Sequence, residues 1–440
     1  MELPAAFKKR MKDMLGSEYE AFVASYSQPA ARGLRINTLK TDVGAFLAGS
    51  GLCLEPSEII EEGFVLGDYV SGIGNHPFHA AGLFYMQEPS AMSPIAEAGE
   101  VKGKRILDLC AAPGGKSGGI AQRMAGSGLL VSNEIVRSRA VLLSRTLERL
   151  GVTNSVVTSL SPYRLAELLP EYFDTVLVDA PCSGEGMFRK TPSAADEWSP
   201  EHVRSCAVRQ GLILDSAARL VRPGGRVVYS TCTFSPEENE DCVAAFLERS
   251  RNFELISQRR LYPHTSKGEG HFVAVLEMTD RKPAEKIRSP KKVGGRDGFT
   301  RYREMAEFAK RTFAEPHIFD EAVSDDRGGV FLLTEEMRSI LPLLNPVSMG
   351  VECGVIKKGR FEPSHTLFMA SGIGAAEKLV FEQQDERLKR FLRGETLETE
   401  YKKGYIPVCV SLSGQAHPLG FGKAVDNTLK NHLPKGLRIN

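Results

Sequence analysis

The chain has 440 residues, 42% of them hydrophobic, and a formal net charge of +1. This length suffices for two to four domains with ordinary cores, and the near-neutral charge excludes a uniformly basic nucleic-acid binder. No apolar run approaches a membrane span, and the N-terminal stretch MELPAAFKKRMKDM lacks a secretion signal, so we expect a cytoplasmic protein without a membrane partner. Eight cysteines without paired CxxC spacing favour reduced thiols over a disulfide framework.

Residues 1–92 have the pattern of a small α+β unit. The predicted elements are a helix over 5–26, a strand over 33–40, a helix over 43–48 and a strand over 64–66. The segment 76–92 that follows contains His76 and His79, but their spacing argues against metal ligands. We therefore predict no metal site.

Residues 93–278 alternate apolar strands with helical patterns, which predicts a parallel sheet covered by helices on both faces. Strands are predicted at 105–110, 129–134, 155–158, 174–179 and 226–231, and closing strands at 253–257 and 270–278. Long helices are predicted over 201–221 and 236–249. The second begins with Glu237, Glu238 and Glu240, carboxylates that a helix N-terminus favours.

Residues 279–350 are predicted to form a linker and a small connecting domain, and residues 351–440 a β-rich domain. The segment 279–298 is charged and contains prolines and glycines, which is typical of a linker. Basic residues concentrate over 281–311. This concentration is compatible with an RNA contact and equally with a solvated linker. The remaining predicted elements are helices over 302–313 and 383–392 and strands over 330–334, 406–412 and 419–424.

The segment RILDLCAAPGGK, residues 105–116, predicts a strand, a tight loop and a helix N-terminus. Glycines let the loop approach a ligand closely, and the helix N-terminus favours an anionic group. Glu134 lies twenty positions after Gly114, where nucleotide-binding α/β domains place the carboxylate that binds ribose hydroxyls. The alternative is a solvated acid at a strand end. Neither common phosphate-binding glycine pattern is present, so the loop suits S-adenosylmethionine, which has a carboxylate and a ribose but no pyrophosphate.

Three polar positions follow two later strands of the predicted sheet. Asp179 and Cys182 follow strand 174–179, and Cys232 follows strand 226–231. Ligands of an open parallel sheet bind at the carboxyl ends of its strands, so we expect these residues to share a cleft with the glycine loop and Glu134. A single cysteine at such a place is more often a buried apolar filler, but a pair indicates thiol chemistry.

Three segments of this chain resemble the RNA cytosine-5 methyltransferases of the NOL1/NOP2/Sun family. They are DLCAAPGGKS at 108–117, VDAPCSGEGMFRK at 178–190 and YSTCTFSPEENE at 229–240. Their order is that of the family, and the resemblance extends over nearly the whole chain and is closest to the bacterial RsmF type. It implies a class I (Rossmann-like) methyltransferase domain at 93–278, an RNA-binding α+β domain at 1–92 and a PUA-like RNA-binding domain at 351–440. It also implies a monomer that acts on 16S rRNA or the small ribosomal subunit.

The resemblance also assigns site residues. Asp179 is expected at the cofactor and at the polar edge of the flipped base, where it would meet N3 and the exocyclic amine. Family members commonly place an acidic or amide side chain after the third strand, where this chain has TSLSP, so comparison indicates Ser161 as the adenine contact. The other implied cofactor-binding residues are Cys110, Ala111, Ala112, Pro113, Gly114, Gly115, Lys116 and Glu134.

Carbon 5 of cytosine is a weak nucleophile, so methylation there requires a thiolate that first adds to carbon 6. The resemblance assigns this attack to Cys232 and assistance in release of the methylated base to Cys182. In DNA cytosine-5 enzymes the nucleophile lies in a Pro-Cys motif, which would favour Cys182. The alternatives for function are methylation of tRNA, DNA or another acceptor, and an RNA-binding ribosome assembly factor with vestigial catalysis.

Overall fold

A computed structural model of the chain describes residues 2–67, 72–279 and 303–439. Except for Thr279, the predicted linker at 279–298 lies outside the described residues, as does most of the basic stretch at 281–311. Within the described ranges, no helix combines the length and the apolar character that crossing a bilayer requires.

The N-terminal unit is a four-stranded antiparallel sheet with short helices. Its strands lie in the order β2 (Leu54–Pro56), β3 (Gly63–Leu66), β1 (Gly33–Ile36) and β4 (Phe84–Met86). The predicted helix over 5–26 is divided in two, because the chain turns at Gly16, which has φ 54°. The elements are α1 (Ala5–Leu15), α2 (Tyr19–Ser25), β1 (Gly33–Ile36), α3 (Val43–Ser50), β2 (Leu54–Pro56), β3 (Gly63–Leu66), α4 (Pro77–Ala80) and β4 (Phe84–Met86).

The second unit contains the predicted parallel sheet with helices between its strands. The elements are α5 (Ser93–Ala96), β5 (Arg105–Asp108), α6 (Gly115–Met124), β6 (Leu129–Asn133), α7 (Arg137–Leu150), β7 (Ser155–Thr158), α8 (Pro162–Leu168), β8 (Phe173–Asp179), α9 (Ser193–Glu197), α10 (Pro200–Leu220), β9 (Val221–Thr231), α11 (Glu240–Arg249), β10 (Phe253–Leu261) and β11 (His271–Met278). The neighbouring strands β9, β8, β5, β6 and β7 are parallel, and β11 and β10 pair antiparallel beyond β9. The central strands are buried on both faces, as a sheet between two helix layers requires.

The remaining residues form two further sheets. The elements are α12 (Arg303–Thr312), β12 (Val323–Ser324), β13 (Gly329–Leu332), α13 (Glu335–Ile340), β14 (Ser348–Met349), β15 (Val351–Lys357), β16 (Arg360–Pro363), α14 (His365–Met369), β17 (Leu379–Phe381), α15 (Glu386–Leu392), β18 (Leu397–Glu398), β19 (Lys403–Leu412), β20 (Gln415–Val425) and β21 (Thr428–Asn431). Strand β14 joins the large sheet beside β7, and β12, β13, β15 and β16 form their own sheet. The C-terminal sheet has the strand order β17-β19-β20-β21-β18. The predicted boundary at residue 350 therefore falls between two paired strands, β13 and β15.

Two apolar clusters join the terminal units to the rest of the molecule. Phe46 and Phe84 of the N-terminal unit share one core with Phe391 of α15 and Val408 of β19. A second cluster packs α1 and α2 against the segments that follow β8 and β9, and its largest members are Phe7, Phe22, Phe188, Trp198 and Phe234. The N-terminal unit is thus fixed both to the C-terminal sheet and to the edge of the large sheet where β8 and β9 end.

Candidate active site

Two thiols meet at the carboxyl ends of the neighbouring strands β8 and β9. Strand β8 is parallel to β9 with Asp179 opposite Ser230, so the residues that follow the two strands emerge side by side. The Sγ atoms of Cys182 and Cys232 are 3.2 Å apart, and both cysteines are free thiols. The structure therefore brings together the two cysteines that the sequence singled out.

The surroundings of Cys182 favour its protonated form. The hydrogen bond to Cys232 and burial raise the pKa of Cys182 well above its usual value, and the carboxylate of Glu238 adds to this effect. Cys182 therefore keeps its proton near neutrality.

Asp179 lies beside the thiols and forms an ion pair with Lys116, with 2.7 Å between Nζ and Oδ2. Ser230 also donates its hydroxyl to Oδ1 of Asp179 at 2.9 Å. Burial alone would raise the pKa of Asp179, but the ammonium of Lys116 and the hydroxyl of Ser230 hold it below its usual range. Burial would likewise lower the pKa of Lys116, but Asp179 raises it. Both groups are therefore charged at neutral pH.

His271 lies behind this ion pair, with Nε2 3.7 Å from Oδ1 of Asp179. Burial and the charge of Lys116 lower the pKa of His271 to about 3, so the imidazole is neutral. Sequence reasoning missed His271, because a histidine at the start of an apolar strand has no distinctive spacing.

The loop between β5 and α6 has the geometry of an anion-binding turn. Gly114 has φ 108° and precedes α6 without a side-chain cap for the first N–H groups of the helix. A Cβ atom at Gly114 would lie 2.9 Å from Cγ2 of Thr146, so the turn requires glycine. Ala111 donates its N–H to the Asn133 carbonyl at 2.8 Å, which fixes the loop to the end of β6. The helix N-terminus thus remains available to a carboxylate.

Glu134 follows β6 and is only 4% exposed, which does not fit a solvated strand-end acid. Its Oε1 accepts the N–H of Val136 at 2.9 Å, and its Oε2 lies 3.2 Å from Arg139. Arg139 is half-exposed and also donates to the carbonyl of Ala112. A buried carboxylate whose charged partner is a half-exposed surface side chain can exchange that partner for two ribose hydroxyls.

Two other predicted cofactor residues have local structural roles. Ser161 caps α8, because its hydroxyl accepts the N–H of Arg164 at 3.2 Å. Its use as an adenine contact stays a prediction, and the hydroxyl still has its proton and a second lone pair for such a contact. Burial raises the pKa of Cys110, so this thiol stays protonated.

One sequence prediction concerning this region is wrong. The helix predicted over 236–249 is interrupted at Asn239, which has φ −110° and ψ −98° and separates a 3-10 turn, Pro236–Glu238, from α11. Glu238 does not serve the helix N-terminus. Its carboxylate is buried and accepts the N–H of Ser183 at 2.9 Å. A tertiary contact therefore overrides the local preference for a continuous helix.

A second group that the sequence did not reveal connects α1 to the thiol loops. Glu185 is fully buried and interacts with Arg10 at 2.5 Å, with Nε1 of Trp198 at 2.8 Å and with the N–H of Phe234 at 3.0 Å. One carboxylate therefore ties the N-terminal unit to the segments after both β8 and β9. Within the described parts of the chain, no cluster of three or more His, Cys, Asp or Glu side chains could hold a metal ion.

Comparison with protein-family models gives three matches. Residues 99–277 match the model described as 16S rRNA methyltransferase RsmB/F. Residues 3–89 match the N-terminal domain of 16S rRNA methyltransferase RsmF, and residues 378–439 match the methyltransferase RsmF PUA domain.

Full-length relatives extend this similarity. Ribosomal RNA small subunit methyltransferase F of Salmonella paratyphi A is 32% identical over 467 residues, which cover 99% of this chain and 96% of the relative. The protein of the same name from Vibrio campbellii is 31% identical over 473 residues, covering 99% of this chain and 97% of the relative.

Solved structures agree on the fold. A methyltransferase homolog protein from Pyrococcus horikoshii is 28% identical with a TM-score of 0.56, covering 62% of this chain and 94% of that one. NSun6 from the same organism, solved with SFG, also has a TM-score of 0.56, at 21% identity, and covers 63% of this chain and 98% of that one.

Proposed function

Because this chain belongs to the RsmB/RsmF family of 16S rRNA methyltransferases, we propose that it methylates carbon 5 of a cytosine in 16S rRNA, with S-adenosylmethionine as methyl donor. The observation that supports this reaction most directly is the pair of thiols 3.2 Å apart beside a charged carboxylate. An intact thiol pair argues against vestigial catalysis. An rRNA substrate also fits the cytoplasmic location predicted from the sequence. The predicted monomeric state stays a prediction.

The thiols divide the covalent chemistry on the base. Cys232 attacks carbon 6 as a thiolate, which opens the carbon 5–carbon 6 double bond and makes carbon 5 nucleophilic. After methyl transfer, the proton on carbon 5 must leave so that the double bond re-forms and the bond from Sγ to carbon 6 breaks. Cys182 is partly exposed and lies 3.2 Å from Cys232, so after its own proton has passed to solvent its thiolate accepts the carbon 5 proton, and Cys232 leaves carbon 6 as a thiolate. Asp179 accepts hydrogen bonds from the polar edge of the base.

The described residues also fit S-adenosylmethionine. The N-terminus of α6 has no side-chain cap, so its N–H groups can donate hydrogen bonds to the amino-acid carboxylate of the cofactor. The buried Glu134 can accept hydrogen bonds from both ribose hydroxyls. The cofactor supplies an electrophilic methyl group. Lys116 belongs to the cofactor loop by its backbone, but its side chain reaches Asp179 instead.

Glu134→Ala should weaken binding of S-adenosylmethionine about tenfold to a hundredfold, because a charge-assisted hydrogen bond contributes roughly 1.5 to 3 kcal/mol. Isothermal titration calorimetry of the purified variant measures this change. Arg139→Ala is the matched control, since it removes the charged partner of Glu134 and leaves the carboxylate in place. Equal affinities for Glu134→Ala and the unmodified protein would remove this residue from the cofactor site.

The C-terminal sheet presents basic side chains that can contact RNA phosphates. Lys423 of β20 lies directly opposite Tyr405 of β19 and Lys430 of β21, and both lysines are exposed. Its Nζ lies 5.3 Å from the centre of the Tyr405 ring. Like charges in directly opposite positions destabilise a sheet, whereas a bound phosphate would neutralise them. We propose that the face of β19, β20 and β21 that carries Tyr405, Lys423 and Lys430 contacts RNA.

Lys430→Glu should lower affinity for a 16S rRNA fragment and make the salt dependence of binding shallower by about one unit, as expected for one lost phosphate contact. Folding should be preserved, because glutamate opposite Lys423 forms an attractive cross-strand pair. Lys102→Glu is the control with the same charge change. Lys102 is exposed and precedes β5, at the end of the sheet opposite the thiols. Filter binding across a salt series should separate the two variants, and equal losses would indicate only a general charge effect.

A further inference from the structure

The residues on both sides of Cys182 are held by a buried pair of side chains. The carboxylate of Glu238 accepts the N–H of Ser183 at 2.9 Å and also its hydroxyl. Gln210 of α10 donates its amide both to Glu238 at 2.8 Å and to the carbonyl of Pro181 at 3.0 Å. Glu238 and Gln210 have no exposed surface. The chain is thus fixed immediately before and immediately after the thiol.

The next residue, Asn239, holds the other cysteine in the same manner. Thr231 donates its hydroxyl to Oδ1 of Asn239 at 2.6 Å, and Nδ2 of Asn239 donates to the carbonyl of Thr233 at 3.0 Å. These two threonines flank Cys232. A hydroxyl contact of 2.9 Å between Ser183 and Thr233 joins the two loops to each other.

The interrupted helix explains how consecutive residues reach two different loops. A continuous helix would place Glu238 and Asn239 only about 100° apart around one axis, each bonded within that helix. The break at Asn239 instead leaves the side chains of both residues for the thiol loops, and the hydroxyl of Tyr229 binds the carbonyl of Glu238 at 2.6 Å. Burial raises the pKa of Glu238, whereas its hydrogen bonds to Ser183 and Gln210 act in the opposite direction.

We propose that Glu238 and Asn239 are positioning residues that set the placement of the two thiols, Glu238 for Cys182 and Asn239 for Cys232. This inference rests on the proposed function for the roles of the cysteines. Neither residue needs to touch RNA or cofactor. Their effect is to keep each Sγ atom within reach of the base and of the other thiol, since a displacement of about 1 Å can lower a rate roughly a hundredfold.

The test compares each positioning variant with the alanine variant of the cysteine that it positions. Glu238→Met keeps the size of the side chain and removes its acceptors, so the covalent RNA adduct should form but persist, as in Cys182→Ala. Asn239→Leu should instead slow adduct formation, the step that Cys232→Ala abolishes. We expect each affected step to slow by at least about tenfold. Cofactor affinity, measured by calorimetry, should be unchanged in both variants.

Glu238→Gln is the conservative control. Its carbonyl can accept from Ser183 and Gln210, and its amide can donate to the Ser183 hydroxyl, which then turns its proton toward Thr233. Turnover should therefore be largely restored. If Glu238→Met does not fold, Ser183→Ala removes the hydroxyl link and should give a smaller accumulation of adduct. Identical defects in Glu238→Met and Asn239→Leu, or a Gln variant as impaired as the Met variant, would overturn the assignment.

A second measurement does not depend on methylation. Diamide takes two electrons and two protons from a pair of thiols as the S–S bond forms, and a thiol count after denaturation follows the reaction. The short Sγ separation should make Cys182 and Cys232 of the unmodified protein react readily with each other, and both positioning variants should react at least about tenfold more slowly. Unchanged diamide rates in the two variants would refute the positioning role. If both variants react slowly with diamide but no RNA adduct forms, only the proposed function is refuted.

Discussion

Cys232→Ala should abolish methylation and form no covalent RNA adduct, whereas Cys182→Ala should accumulate an adduct that survives denaturation. We expect the rate of methyl transfer in Cys232→Ala to fall by at least about a thousandfold, as when other covalent enzymes lose their nucleophile. The adduct in Cys182→Ala should require S-adenosylmethionine, because it persists after transfer when the carbon 5 proton is not removed.

The geometry gives this division of labour a physical basis. The pKa of Cys182 is raised by its hydrogen bond to Cys232, by burial and by Glu238, so Cys182 keeps its proton in the resting protein. Cys232 lies 3.2 Å from Cys182 and close enough to Lys116 to raise the pKa of the ammonium. Cys182 is therefore poorly suited to the first attack on carbon 6, which requires a thiolate.

Denaturing gel electrophoresis with labelled RNA distinguishes the two cysteines, because an adduct migrates more slowly than free RNA. Cys353→Ala is a suitable control, since this buried thiol lies on β15, away from the active site. An adduct that accumulates in Cys232→Ala and is absent in Cys182→Ala would exchange the two roles. Full activity in both variants would exclude thiol catalysis.

The family and the fold class were predictable from the sequence, and the comparisons and the structure confirm both. The reason is that the signals are local. Apolar runs mark the strands of the large sheet, glycines mark the turn before α6, and polar residues that follow parallel strands must meet at one edge. The 3.2 Å contact between Cys182 and Cys232 follows from that geometry.

The interactions that support the site were not predictable, because they join distant segments without a periodic pattern. Lys116 was expected in the cofactor loop, and only the structure shows its side chain paired with Asp179. Glu238 looked like a helix-terminal acid, but its hydrogen bonds to the Cys182 loop interrupt the helix. The core shared by the N-terminal and C-terminal units likewise depends on tertiary packing that neither segment reveals alone.

Lys116→Met should lower kcat/KM about a hundredfold to a thousandfold, the usual effect of removing one electrostatic contact to reacting groups. Two changes add together at this position. Asp179 loses the cation 2.7 Å away that keeps it ionised, and Cys232 loses a nearby positive charge that favours its thiolate. Cofactor affinity should change little, because the Lys116 side chain is directed at Asp179, and calorimetry checks this point.

The pH dependence identifies the mechanism of that loss. In the unmodified protein the pKa of Asp179 is depressed and that of Lys116 is raised, so the pair contributes stability above the usual aspartate range and below the usual lysine range. Neither group titrates near neutrality. Without Lys116, burial raises the pKa of Asp179, and the carboxylate is lost as the pH falls through the raised value.

Activity of Lys116→Met should therefore recover in part as the pH increases, while the unmodified protein shows no such step from this pair. Lys116→Arg, which retains the positive charge, should lose less activity and keep the original profile. A cofactor dissociation constant that rises as much as kcat/KM falls would instead place the Lys116 side chain in the cofactor site. A loss that is equal at every pH would show that Asp179 stays ionised without Lys116, and that the effect arises at Cys232.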